Sequence, residues 1–205
     1  MNCGYDSATV ALYKAEHNGA EPPSNYADQN WIRWRADKLN DFVGRLYQEI
    51  KAVNPDLTVS NAPLFYGYQQ FCQDYATWIN QGYLDTVVPQ LYFTTNISFK
   101  SRLTVELNKV TDDTYFYPGI STTANGYTTP PDQLVEMIRT TRQRGLNGHV
   151  IWYHARLPEY YETLKSNVYQ EQAQIPYRDE EWRQPAIVIH ENDSRVKKSE
   201  EWKKN

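Results

Sequence analysis

A chain of 205 residues can bury one sizeable core and is marginal for two. Hydrophobic content of 40% against 22% charged residues is ordinary for a globular protein, and no run approaches the ~18 consecutive apolar residues of a membrane helix. The net charge is −4 and Lys and Arg are dispersed outside the C-terminal end, which argues against the basic patch that a nucleic-acid surface needs.

Residues 1–29 read as loop, broken by Asn18-Gly19 and Pro22-Pro23, with a short helix over about 8–17. The start, MNCGYDSATV, has neither the basic region nor the apolar core of a signal peptide. Either the protein stays inside the cell, or the chain lacks its true N-terminus. A long amphipathic helix is predicted over 30–53, with Leu39, Phe42, Val43, Leu46, Ile50 and Val53 as its core-facing stripe. Asn54-Pro55 stops it. A strand over 57–62 follows, then one helix over 68–80 with Phe71, Tyr75, Trp78 and Ile79 on its apolar face and Gly82 as its left-handed cap. Next come a strand over 84–92, a helix over 97–109 and a strand over 115–121. The following helix starts with Thr129 as N-cap and Pro130 in first position, buries Leu134, Met137, Ile138 and Thr141, and ends at Gly145. A strand over 148–154 and a helix over 158–168 close the pattern. Beyond residue 170 the chain is polar, with one apolar island at Pro185-Ala186-Ile187-Val188-Ile189.

Strands alternating with helices across short loops predict an α/β fold with parallel pairing. The spacing suits a doubly wound sheet or part of a (β/α) barrel, and no strand is followed by a Gly-rich phosphate loop. Four units make half of a barrel, which takes ~250 residues, and an open half exposes two sheet edges. The chain therefore reads as N-terminally truncated, with domain limits of 1–169 for the α/β part and 170–205 for a polar extension.

Ligands of parallel α/β folds sit at the carboxyl ends of strands, so the chemistry is sought there. In LDTVVPQLY, alternation places Val88, Gln90 and Tyr92 on one face and Val87, Pro89 and Leu91 on the other. Gln90 can pair with a ligand or satisfy nearby backbone, and Pro89 cannot donate to a ladder, so the strand is expected to be irregular there. In HVIWYHARL, Trp152 and His154 share a face. A Trp there can stack on the C–H face of a sugar; His154 can donate a hydrogen bond or be purely structural. Asn61 ends the 57–62 strand and either reaches a ligand or braces the loop that carries Tyr66 and Tyr68. The 17 Tyr and 6 Trp fit sugar platforms or ordinary packing.

None of these four strand ends carries Asp or Glu, and glycosidic hydrolysis usually needs two carboxylates. Asp74 and Glu106 are placed within helices, and Asp85 at the amino end of its strand, where it reads as a stability residue. His149 and His154 have opposite parity and would not share a metal; no metal spacing and no cofactor signature is present. The two cysteines, Cys3 and Cys72, can form at most one bridge, which spacing alone cannot establish.

The ordered run GYDSATVALYKAEHNG, WIRWRADKLNDFVGRLYQEIKAVNPDLTVSNAP, QDYATWINQGYLDTVVPQLY, a Pro-Gly-Ile strand and RQRGLNGHVIWYHARL resembles the C-terminal half of the glycosyl-hydrolase-like family ten barrels, over residues 4–168. These are bacterial proteins of largely extracytoplasmic type. The resemblance implies a (β/α)8 barrel related to enzymes acting on polysaccharide glycosidic bonds, and an extracytoplasmic or secreted location. In that family an acidic doublet ends the fourth strand shortly before the Gly4-Tyr5-Asp6 element, yet only Met1-Asn2-Cys3 precede it here. The expected function is thus a glycoside hydrolase-like fragment whose acids lie upstream, binding a polysaccharide or oligosaccharide through Asn61, Tyr66, Gln90, Tyr92, Trp152 and His154. The alternatives are a non-catalytic carbohydrate-binding or scaffold module and, third, a homodimer completing one barrel.

Overall fold

The computed structural model of the chain describes residues 3–111, 115–124 and 126–171. One compact unit ends at Val168; the apolar island at 185–189 lies outside the described residues.

The N-terminal stretch forms α1 (Ser7–Glu16), capped by the Asp6 carboxylate, which accepts from Thr9 N at 3.0 Å. The long helix α2 (Gln29–Val53) starts the same way, with Asp28 accepting from Trp31 N at 2.9 Å. Its buried face differs from the expected stripe. Trp31, Ile32, Ala36, Asn40 and Gly44 are buried, with Leu39 and Val43 packed beside the core. Phe42, Leu46 and Val53 are instead exposed. The stripe counted only large apolar side chains, whereas the contact face runs through a polar and a small residue. Asn40 accepts the Trp78 indole N–H at 2.6 Å, and Gly44 leaves room for the Tyr83 ring.

The strands are shorter than predicted. β1 (Ser60–Asn61) pairs in parallel with β2 (Thr86–Val87), registering Ser60 with Thr86 and Asn61 with Val87. Val87 then bridges Phe116, and Gln90 bridges both Leu64 and Gly119. β3 (Gly119–Ser121) pairs in parallel with β6 (Val150–Trp152), Gly119 against Val150 and Ser121 against Trp152. Parallel segments thus lie side by side in chain order. Pro89 explains the break after β2, since it has no N–H to give. Val87, Pro89 and Leu91 are buried while Val88, Gln90 and Tyr92 are half-buried, the alternation expected.

Between β1 and β2 the predicted single helix is two, α3 (Gly67–Phe71) and α4 (Tyr75–Asn80). Cys72 takes a left-handed conformation at φ 57° and separates them. Gln73 folds back, its side-chain oxygen accepting from Leu64 N at 3.2 Å, and a side chain at Gly67 would collide with it. Gly82, at φ 70°, turns the chain after α4 as expected, and Tyr83 N reaches Trp78 O at 2.7 Å. Helix α5 (Asn96–Leu107) is capped by Thr95. After β3 comes a small antiparallel hairpin of β4 (Thr123–Ala124) and β5 (Tyr127–Thr128), for which the sequence pattern predicts no element.

Helix α6 (Pro131–Gln143) begins one residue later than predicted, with Pro130 as N-cap and Pro131 first. Thr129 is therefore not the cap; its hydroxyl donates to Ser121 O at 2.7 Å. The buried side, Leu134, Met137, Ile138 and Thr141, is as predicted. After β6 the chain forms a 3-10 turn over His154–Tyr160 and then α7 (Tyr161–Asn167), rather than one helix. Val87, Leu91 and Ile120 from the strands meet Phe99 and Leu103 of α5, Leu134, Met137 and Ile138 of α6, and Leu164 of α7 in one core. Burying so many aliphatic and aromatic side chains, each worth about 1.5–3 kcal/mol, is what holds the helices on the sheet.

Candidate functional site

The strands end in a row of polar and aromatic groups: Asn61, Gln90, Ser121 and Trp152. Gln90 is tied on both sides, since it bridges Leu64 and Gly119 and its side-chain amide donates to Ala62 O at 2.6 Å. That leaves its side-chain carbonyl to accept from another donor. Asn61 presents a buried side-chain oxygen with no hydrogen-bond partner among the described residues. A buried acceptor in that state gains from a hydroxyl or N–H donor.

Tyr92, in the segment that follows β2, and Trp152 of β6 stack, with ring centroids 6.2 Å apart and planes at 17°. Gly119 makes the Tyr92 position possible. A Cβ there would lie 2.9 Å from Pro89 O and 3.2 Å from the Tyr92 ring. Burial pushes the Tyr92 hydroxyl pKa above its ordinary value, so it stays a neutral donor and acceptor. Trp152 is held from behind: Thr122 N donates to Trp152 O at 2.7 Å, while the buried Tyr160 hydroxyl donates to Thr129 O at 2.7 Å. Trp152 nevertheless remains 53% exposed, with its ring stacked on Tyr92. The Trp152–Tyr153 peptide is cis.

The structure brings together Tyr92 with Trp152, and Gln90 with the loop that follows Asn61. It does not place His154 as expected. The 3-10 turn begins at His154, so strand alternation stops before it and Trp152 and His154 do not share a strand face. Tyr66 is exposed and lines a different groove of about 560 Å³, with Tyr68, Arg33, Arg102 and Lys109.

Asp85, Glu106 and Asp74 each have structural partners. Asp85 accepts from Tyr47 Oη at 2.8 Å and Val59 N at 2.7 Å and pairs with Lys51 at 2.9 Å. Burial acts to raise its pKa, but the Lys51, Val59 and Tyr47 contacts outweigh it and the net shift is downward. This is the stability role expected at an amino end. Glu106 is fully buried, bound by the Tyr75 hydroxyl, Arg102 and Lys109, the last at 2.7 Å. Burial first, then the Glu106 contact, drives the Tyr75 pKa strongly upward. Asp74 is not inside a helix but at the N-cap position of α4, paired with Arg33 at 3.1 Å and accepting from Thr77 Oγ1 at 2.8 Å. No group of three or more His, Cys, Asp or Glu among the described residues is arranged to hold a metal, and no described helix is long and apolar enough to cross a membrane.

Gly4-Tyr5-Asp6 has local structural work. Gly4, at φ 93°, lies against Arg35 and Trp31, the Tyr5 hydroxyl donates to Pro23 O at 2.7 Å, and Asp6 caps α1. The positioning roles of Gly119 and Thr122 were not foreseen. The Pro118-Gly119 pair was the available signal, because a strand glycine marks close approach of another group.

Parallel strands in chain order, backed by helices and ending in amides and stacked aromatics, define an α/β protein with its candidate binding face at the strands' carboxyl ends. The chain belongs to the glycosyl hydrolase-like 10 family, whose model matches residues 1–120. Asn61, Tyr66, Gln90 and Tyr92 fall within that stretch, and Trp152 and His154 beyond it. A comparison with curated proteins finds no match.

Proposed function

We propose that this chain is the C-terminal half of a (β/α)8 barrel of an extracytoplasmic glycoside hydrolase-like protein, and that its strand ends hold a polysaccharide whose glycosidic bonds the whole barrel cleaves. The observation that carries the reading is the stacked Tyr92–Trp152 pair, with Trp152 half-exposed at the carboxyl end of β6. Sugar rings present apolar C–H faces that such a plane accepts, while their hydroxyls need amide partners of the kind Gln90 and Asn61 supply. The family membership supports a glycoside-related role. Strand order in chain sequence, with β1 and β6 at the two edges, supports a sheet that further parallel strands continue. The acid and base of hydrolysis belong, in this reading, to those further strands.

A second reading is a non-catalytic carbohydrate-binding module. It is favoured by one fact: Asn61, Gln90, Ser121 and Trp152 include no carboxylate. Affinity electrophoresis against neutral and acidic soluble polysaccharides tests what both readings share. At least one glycan should retard the protein, and Trp152→Ala should weaken that binding on the order of tenfold. Absence of retardation by any glycan, or equal retardation of the variant, would overturn the proposal. Release of reducing ends by a chain extended through the upstream strands separates enzyme from module.

A further inference from the structure

Cys3 and Cys72 are 69 positions apart in sequence, and both line one cavity of about 300 Å³ together with Arg35, Leu39 and Phe71. Both are free thiols; Cys3 is exposed and Cys72 buried. Neither is placed there by accident of a loose chain. The Cys3 carbonyl accepts from Arg35 Nη1 at 2.6 Å, and Gly4, lacking a side chain, lets the backbone lie directly against Arg35 and Trp31. Cys72 occupies the left-handed turn between α3 and α4, where its N–H donates to Tyr68 O at 3.1 Å. Burial raises the Cys72 pKa, the Arg35 guanidinium opposes this, and a charge on nearby Cys3 adds to the rise.

We propose that Cys3 and Cys72 form a redox modification site, closing to a disulfide that staples the N-terminal segment to the α3–α4 turn under oxidising conditions. The exposed thiol reacts first. As thiolate, Cys3 attacks one sulfur of a small-molecule disulfide such as oxidised glutathione, releasing one glutathione thiolate and leaving a mixed disulfide on Cys3. Cys72 then gives its proton to solvent base and attacks the Cys3 sulfur, expelling the second glutathione. Two protein thiols are oxidised by two electrons and one glutathione disulfide is reduced to two thiols. The burial of Cys72 makes the second step slow and depends on the turn opening locally. The bridge closes a loop of about 70 residues, which removes much unfolded-state entropy. This inference does not depend on the sugar-binding reading.

The test incubates the purified chain with oxidised glutathione, blocks remaining thiols with an alkylating agent, and compares it with a reduced sample. The expected result is a mass about 2 Da below that of the reduced chain with no alkylation. A cross-linked peptide joining Cys3 to Cys72 should accompany it, with a Tm raised on the order of 5–10 °C. Cys3→Ser should abolish the cross-link and the Tm rise together. Alkylation of both thiols after oxidation, glutathione retained on Cys3, or dimers linked through Cys3 alone would overturn the proposal. A cross-link without a Tm rise would overturn the stapling role.

Discussion

His149 shows how a single side chain outside the site sets a condition for stability. Burial lowers its pKa from 6.5 to about 4, with the Arg142 charge acting in the same direction. The imidazole is therefore neutral in the fold and takes a proton only in more acidic solution than the unfolded chain does. Its contribution is full above pH 6.5 and is lost as pH falls from 6.5 toward about 4. Thermal unfolding followed by circular dichroism at about pH 7.5 and about pH 5 should give a drop in Tm that His149→Gln reduces; parallel drops in both proteins would refute this. At this scale the sequence was informative about polarity but not partners. Gln90 and Tyr92 were assigned correctly to one face by alternation, because that rule needs only the strand. The unpartnered oxygen of Asn61 and the carboxylate contacts of Asp85 depend on residues remote in sequence, which no local pattern encodes.

At the scale of elements, Gly119 links fold to site. It sits in β3 where a Cβ would press on the Pro89 carbonyl at 2.9 Å, and backbone cannot move aside as a side chain can. Gly119→Ala should therefore cost about 1–3 kcal/mol in urea unfolding and displace Tyr92 from its stack on Trp152. An unchanged urea midpoint would contradict the close approach. Helices were legible where a cap or a buried stripe was strong, as in α6, whose core residues follow its 3.6-residue period. Helix α2 was legible in extent but not in face, because Asn40 and Gly44 carry its contact and neither reads as apolar. The break between α3 and α4 rests on a left-handed Cys72, a conformation its residue type does not announce. The hairpin of β4 and β5 has a sequence signal in the Asn125-Gly126 dipeptide, which the alternating strand–helix pattern does not use.

For the whole molecule, the order of strands matters more than their length. β1, β2, β3 and β6 follow one another in space as in sequence, so their carboxyl ends form one rim with Asn61 near one edge and Trp152 at the other. The α/β class and parallel pairing were legible from alternating strand and helix patterns, since short loops leave few topologies, whereas the spacing left the strand order open between a doubly wound sheet and part of a barrel. The site was legible only in part. Trp152 and Tyr92 meet, while His154 enters a 3-10 turn and Tyr66 faces another groove. Sequence distance hid the Tyr92–Trp152 stack, which joins the segment after β2 to β6. The rim as a glycan-binding face is the central claim, and a titration of the isotopically labelled chain with a retarding oligosaccharide tests it most directly. NMR spectra should show the Trp152 indole N–H and the Gln90 side-chain amide shifting together and saturably. Spectra in which both stay fixed, or in which shifts gather around Tyr66, Tyr68 and Arg102 instead, would contradict it.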